Sequence, residues 1–311
     1  MAVSIALDIG GTNIKMALVR QGSILNSLML PVKENTTLGP LLPLIEKNID
    51  QLLDGRDDLQ GIGLAFPCIV DNQKSLILSE YVKYQDINDL NLSQWAHDQW
   101  GVSVLFENDA RAALVGEWQY GAGKGYDNLV QVTMGTGIGS AVLMNGRLLR
   151  GKHYLAGNLG GHMTIDYEGA DCNCGNKGCL ETVASTWALP DLVKISSKFA
   201  DSTLSELEVI DFKALFDHAA NNDELAISVR DHCIKAWGFG LINLVHAFDP
   251  EIIIISGGVT ASKEIIFPIF RDMINKHTWL PPETIEILPA AFKDSAALFG
   301  LDYLIQNQNK I

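Results

Sequence analysis

No stretch of this 311-residue chain approaches the ~18 consecutive apolar residues that a membrane helix needs. The longest aliphatic run, in "EIIIIS", has the length of a strand. The opening "MAVSIALDIGG" has neither a cationic segment nor a long apolar core, so no secretory leader is expected there. Basic residues are scarce: 23 Lys and Arg against 37 Asp and Glu give a net charge of −14. A field of that sign opposes nucleic acid and anionic lipid, which are gripped through Lys and Arg. The expectation is a cytoplasmic protein with no nucleic-acid partner and no membrane partner. Cysteine is sparse and odd in number, five in all, which argues against a disulfide framework. Low-complexity tracts are missing, and no linker stands out. Apolar residues at 47% and charged residues at 19% predict a folded core, and the length suits two domains.

What is present repeats. Residues 1–25 read as strand, glycine turn, strand, turn and strand: "SIALDIGG", then "NIKMALVR", then "ILNSLML". Residues 129–149 follow the same plan, with "LVQVT", a glycine turn in "MGTGIG", "SAVLM" and an Asn145-Gly146 hairpin turn. Between the two units, "LGPLLPLIEKNIDQLL" and "LSQWAHDQWG" predict helices, and "LQGIGLAFPCIV" and "VSVLFE" predict strands. "NDARAALVGEWQYG" predicts a helix with Asn108 or Asp109 at its N-cap. Residues 182–247 read as mostly helical, "DPEIIIISGGV" as a strand ending in glycines, and "DSAALFGLDYLIQNQ" as a terminal helix. Strands alternating with helices predict α/β architecture with both sheet faces covered.

Three signals carry chemistry. Glycine turns after strands expose backbone N–H groups that can hold phosphate oxygens; Gly10, Gly11, Gly135, Gly137, Gly139, Gly257 and Gly258 all qualify. A single such turn is most simply structural, and neither hairpin has P-loop or dinucleotide spacing. Together with Asp8, which could hold Mg²⁺ against phosphates, they favour a nucleotide. The second signal is "FENDARAAL", where Asp109 is either a helix cap or a carboxylate acting as base toward a hydroxyl. The third is "DCNCGNKGCLE". Cys172, Cys174 and Cys179 have C-x-C-x4-C spacing, and His162, ten residues upstream of the first, is the nearest fourth ligand. Cys3His is a closed, structural zinc set. Cys68 and Cys233 read as small core residues.

In this order the signals resemble the ROK family, which contains sugar kinases and sugar-responsive repressors of the actin-like ATPase superfamily. "DIGGTNIK" is similar to its first phosphate motif, "MGTGIG" to its second, "ENDARAA" to its catalytic motif, "GHM…CNCGNKGCLE" to its zinc and sugar motif, and "IISGGV" to its adenosine motif. The resemblance runs from Ile5 to the terminal helix. It implies an α/β, two-domain actin-like ATPase (ribonuclease H-like) fold with a cleft between domains. The domains would be 1–120, with the helix 293–311 packing back on it, and 121–292, with a zinc knuckle at 162–181. It further implies ATP-dependent phosphorylation of the 6-hydroxyl of a hexose or related sugar, with Asp109 as base and ATP held between the two glycine hairpins. Asn108, Asp109, His162 and Glu181 would contact the sugar. His162, Cys172, Cys174 and Cys179 would bind structural zinc. Asp8 would lie on the Mg²⁺ side. Gly10, Gly11, Thr12, Lys15, Gly135, Thr136, Gly137, Gly257 and Gly258 would line the nucleotide site. A homo-oligomer, dimer or tetramer, is the implied assembly.

Two departures bear on the sugar. The family usually has a glutamate three residues before the zinc histidine; here Asn158 stands in its place with one extra residue before His162, in "AGNLGGH". Pro67-Cys68 replaces the usual Pro-Gly. The alternative function is a catalytically weak sugar-binding sensor of the same family, lacking a DNA-binding domain.

Overall fold

The computed structural model describes residues 2–33, 36–79 and 83–307; residues 308–311, at the end of the expected terminal helix, lie outside them. The chain forms two compact units. One comprises Met1–Gly125, Gly146–Ala156 and Ala291–Ile311, and the other Tyr126–Asn145 and Gly157–Ala290.

The first unit is built on β1 (Val3–Ile9), β2 (Asn13–Arg20), β3 (Ser23–Pro31), β4 (Leu59–Phe66) and β7 (Ser103–Asn108), ordered β3-β2-β1-β4-β7. A small ladder joins β5 (Val70–Asp71) and β6 (Leu76–Ile77). β1 pairs antiparallel with β2, which sets Asp8 opposite Lys15, and parallel with β4. β4 in turn pairs parallel with β7. These parallel pairs put the C-terminal ends of β1, β4 and β7 along one edge, where Asp8 and Asn108 lie. Helix α1 (Leu42–Leu53) turns Ile45, Ile49, Leu52 and Leu53 inward at helical spacing. Helix α2 (Leu92–Trp100) starts on Asn91, whose side chain accepts from Gln94 N, and ends on Gly101 at φ 68°. Helix α3 (Asp109–Tyr120) follows β7 without a break.

The second unit carries the strand order β9-β8-β11-β12. β8 (Leu129–Met134) and β9 (Ile138–Met144) form the hairpin, and Asn145 and Gly146 beyond it take positive φ, 51° and 69°, as a tight turn requires. β10 (Arg147–Leu148) opens the segment that returns to the first unit. Helices α4 (Leu180–Ala184), α5 (Leu189–Lys194), α6 (Phe212–Ala220) and α7 (Glu224–Phe248) occupy the stretch expected to be helical. β11 (Ile252–Ser256) is buried at every residue, as an apolar strand between parallel neighbours β8 and β12 (Glu286–Pro289) should be. α8 (Lys263–His277) connects these last two strands.

The chain then ends in the first unit with α9 (Ala296–Gln306), which packs along α3. Contact between these helices is backbone-close. A Cβ on Gly116 would lie 2.0 Å from Ala296 O, and one on Gly300 would lie 1.8 Å from Ala112 O. Glu117 of α3 fixes the approach to α9 by accepting from Ala291 N and Phe292 N. Residues 146–156, expected in the second domain, pack with the first unit. Arg150 pairs with buried Glu107 at 2.6 Å, and Arg111 Nη2 holds the carbonyls of Tyr154 and Ala156.

Candidate active site

The first unit gathers Asp8, the turn Gly10-Gly11-Thr12, Lys15, Asn108 and Asp109. Asp8 is the penultimate residue of β1, and its cross-strand partner Lys15 brings Nζ to 3.9 Å from its carboxylate. The turn folds back on itself, with Gly10 N donating to Asn13 O at 3.1 Å. Burial holds the Asp8 carboxyl above the ordinary carboxylate range; Lys15 pulls it down and Asp294 pushes it up.

Asn108 and Asp109 divide the work at the β7–α3 junction. Asn108 is the N-cap, since its Oδ1 accepts from Arg111 N at 3.0 Å. Its Nδ2 donates to Cys68 O at 3.1 Å and to Asp109 Oδ1 at 3.0 Å. The amide expected to meet the sugar thus has partners within the protein at both ends, and what it holds is Asp109. Asp109 is therefore not the N-cap; its Oδ1 also accepts from Ala110 N at 2.7 Å. Burial, then the nearby charge of Asp8, pushes its carboxyl up to about 7. Burial followed by the Asp109 charge also drives the Cys68 thiol up to about 12, which keeps it a neutral wall residue.

In the second unit the other glycine turn closes with Gly135 N donating to Gly137 O at 3.0 Å. Thr186 N and Trp187 N hold the carbonyls of Gly135 and Thr136. Gly257 has φ 91°, and a Cβ there would lie 2.1 Å from Met134 O, so the glycine after β11 presses on the end of β8. Gly135 and Gly258 face open space. Glu181, at the start of α4, is buried and accepts from Ile138 N at 2.7 Å and Trp187 Nε1 at 3.0 Å.

The knuckle converges. One ligand atom from each of His162, Cys172, Cys174 and Cys179 lies within 4.8 Å of the others. Cys174 Sγ and Cys179 Sγ are 3.7 Å apart, and Cys172 Sγ is 3.5 Å from His162 Nδ1. Tetrahedral zinc bonds of about 2.3 Å to sulfur and 2.0–2.1 Å to nitrogen would separate such pairs by about 3.8 and 3.6 Å. The four residues fit one zinc ion, with His162 Nδ1 turned toward it.

Asn158 lies just before the 3-10 turn Gly160–His162. Ser140 on β9 pins this segment, donating to Gly157 O at 2.7 Å and accepting from Gly160 N at 2.8 Å. Asn158 is 9% exposed, and its buried Oδ1 has no hydrogen-bond partner among the described residues. Several of these supports escape sequence reasoning: Ser140, Trp187, and the Glu107–Arg111–Arg150 cluster beside the β7–α3 junction. Ser140 lies 17 and 20 residues from the backbone groups it holds and Arg150 lies 43 from Glu107, so no local pattern announces either contact.

The sequence profile of the ROK family matches residues 4–308. The chain belongs to the ROK family. It is 30% identical to a glucokinase of Thermotoga maritima over 98% of this chain and 97% of that protein. It is 28% identical to the xylose repressor of Bacillus subtilis over 97% of this chain and 76% of the repressor. Among solved structures it superposes on a ROK family glucokinase from Streptomyces griseus, determined with glucose and AMPPNP, at a TM-score of 0.77 and 28% identity, covering 97% of this chain and 99% of that one. The fold of this ROK protein is accordingly the two-domain actin-like ATPase fold.

Proposed function

We propose that the protein is an ATP-dependent kinase that phosphorylates the 6-hydroxyl of a hexose or close relative. One observation carries this reading: Asp109 is a carboxylate released from helix capping, held by Asn108, with its pKa pushed to about 7. Such a group accepts a proton near neutral pH. As the γ-phosphorus bonds to the sugar oxygen and the bond to ADP breaks, the hydroxyl proton passes to Asp109. The rest of the catalysis is positioning and charge neutralisation. Backbone N–H groups of the turns at Gly10-Gly11 and Gly135–Gly137 offer phosphate contacts. Asp8 is a hard oxygen donor suited to Mg²⁺, which neutralises phosphate charge when bound. His162, Cys172, Cys174 and Cys179 would hold zinc with no open position, a structural role; His162, bound through Nδ1, would turn its other ring nitrogen toward a sugar hydroxyl. Glu181 and the unpartnered Oδ1 of Asn158 supply further acceptors for hydroxyl donors.

A second reading, a sugar-binding regulator, is favoured by the xylose repressor that aligns over 97% of the chain. Measuring ADP release from ATP in the presence of each of glucose, mannose, fructose, allose and N-acetylated amino sugars separates the two. The kinase reading requires sugar-dependent ADP release. Sugar binding without turnover establishes the regulator.

A further inference from the structure

Lys83 and Tyr84 belong to none of the motifs above, yet both reach the first glycine turn. Lys83 Nζ donates to Gly11 O, and Tyr84 Oη donates to Gly10 O at 2.9 Å. Tyr84 is 2% exposed within the core of the first unit, so this tether is firmly seated. Lys83 also lines a cavity of about 520 Å³ together with Phe66, Cys68, Ser79 and Asn88. Cys68 adjoins the base: its carbonyl accepts from the same Asn108 amide group that donates to Asp109. Lys83 therefore touches the turn expected to hold donor phosphates and lines a cavity whose wall includes Cys68, the residue that adjoins the Asn108–Asp109 pair. Among the described residues its hydrogen-bond partner is a neutral carbonyl and no carboxylate pairs with it. An ammonium has three N–H donors, so two remain.

We propose that Lys83 contacts the γ-phosphoryl group of ATP, holding its oxygens during transfer to the acceptor. This rests on the kinase reading. The transferred group spreads negative charge over three oxygens, and a compact cation on a flexible stem can follow them as the phosphorus moves. The phosphorus–oxygen bond to ADP breaks, the bond to the acceptor oxygen forms, and the proton goes to Asp109; Lys83 supplies charge and forms no covalent bond. A merely structural Lys83 would hold the turn as Tyr84 does.

The test is calorimetric titration of the full-length protein with Mg·ATP and with Mg·ADP, without sugar. Lys83→Met should weaken ATP about 10-fold and leave ADP within about 2-fold, because a lost charge-assisted bond to the γ-phosphate is felt by ATP alone. Lys83→Arg should restore most of the ATP affinity. Tyr84→Phe, which removes the neighbouring tether without removing charge, should leave the ATP-to-ADP ratio as in wild type. Equal loss of both nucleotides in Lys83→Met, no loss of either, or the same ratio shift in Tyr84→Phe overturns the inference alone. Wild-type protein that binds neither nucleotide overturns the kinase reading and the inference with it.

Discussion

Replacing Asp109 with Asn tests the base proposed for the transfer. The Asn side chain keeps a carbonyl oxygen that can accept from Ala110 N and Asn108 Nδ2, the bonds Asp109 Oδ1 now receives at 2.7 and 3.0 Å. The fold and sugar binding are retained. What disappears is the proton acceptor, so turnover falls by roughly 10²–10⁴. The pH dependence follows from the same group. Burial first, and Asp8 second, raise its pKa to about 7, so the charged, active form is lost as pH falls through that value. One unit below the midpoint about one carboxyl in eleven is ionised, and activity sits about 10-fold below its plateau, with a unit slope in log rate. Stability moves the other way. The folded carboxyl keeps its proton where the unfolded one, at about 3.9, has lost it, so wild type loses stability as pH rises from about 4 to about 7. Asp109→Asn lacks that loss and should be the more stable protein above pH 7. Turnover at saturating ATP from pH 5.5 to 8.5, with Tm across the same range, checks both. Near-normal turnover in the variant, or a wild-type rate flat across pH 7, refutes the assignment.

Metal analysis should return one zinc per chain, and removal by a chelator should lower Tm by about 5–10 °C, the shift expected from about 3 kcal/mol in a domain of this size. Asp8→Ala should reduce kcat far more than sugar affinity, since the partner proposed for it is Mg²⁺; equal loss of both, by steady-state kinetics, would mark Asp8 as structural. Asn158→Ala should leave Tm nearly unchanged, because Oδ1 has no partner to lose among the described residues, and should raise the sugar KM about 2- to 10-fold, the worth of one neutral hydrogen bond. Glu181→Ala should destabilise the protein by about 1–3 kcal/mol in thermal unfolding, because Ile138 N loses its buried acceptor.

The strands, the helices and the glycine turns could be read along the chain because each obeys a local rule: alternation, helical spacing, a cap, a turn residue. The cysteine knuckle was equally local, and its four ligand atoms do converge. The β7–α3 junction was legible as a position but not as a division of labour. Only the observed hydrogen bonds show Asn108 taking the cap while its amide nitrogen holds Asp109. Long-range supports left no trace in the sequence. Lys83 meets Gly11 across 72 residues, and Arg150 meets Glu107 across 43. Residues 146–156 pack with the first unit through Arg150 on Glu107 and through Arg111 on the carbonyls of Tyr154 and Ala156, contacts that no local pattern announces.

The central claim is phosphoryl transfer to a hexose 6-hydroxyl. Phosphorus NMR of the protein with Mg·ATP and an accepted hexose tests it most directly. The account predicts that the ATP γ signal disappears while ADP and a phosphomonoester coupled to a CH₂ group grow in together. A hexose that binds while the ATP spectrum stays unchanged, or a phosphoester formed at a ring CH, contradicts it.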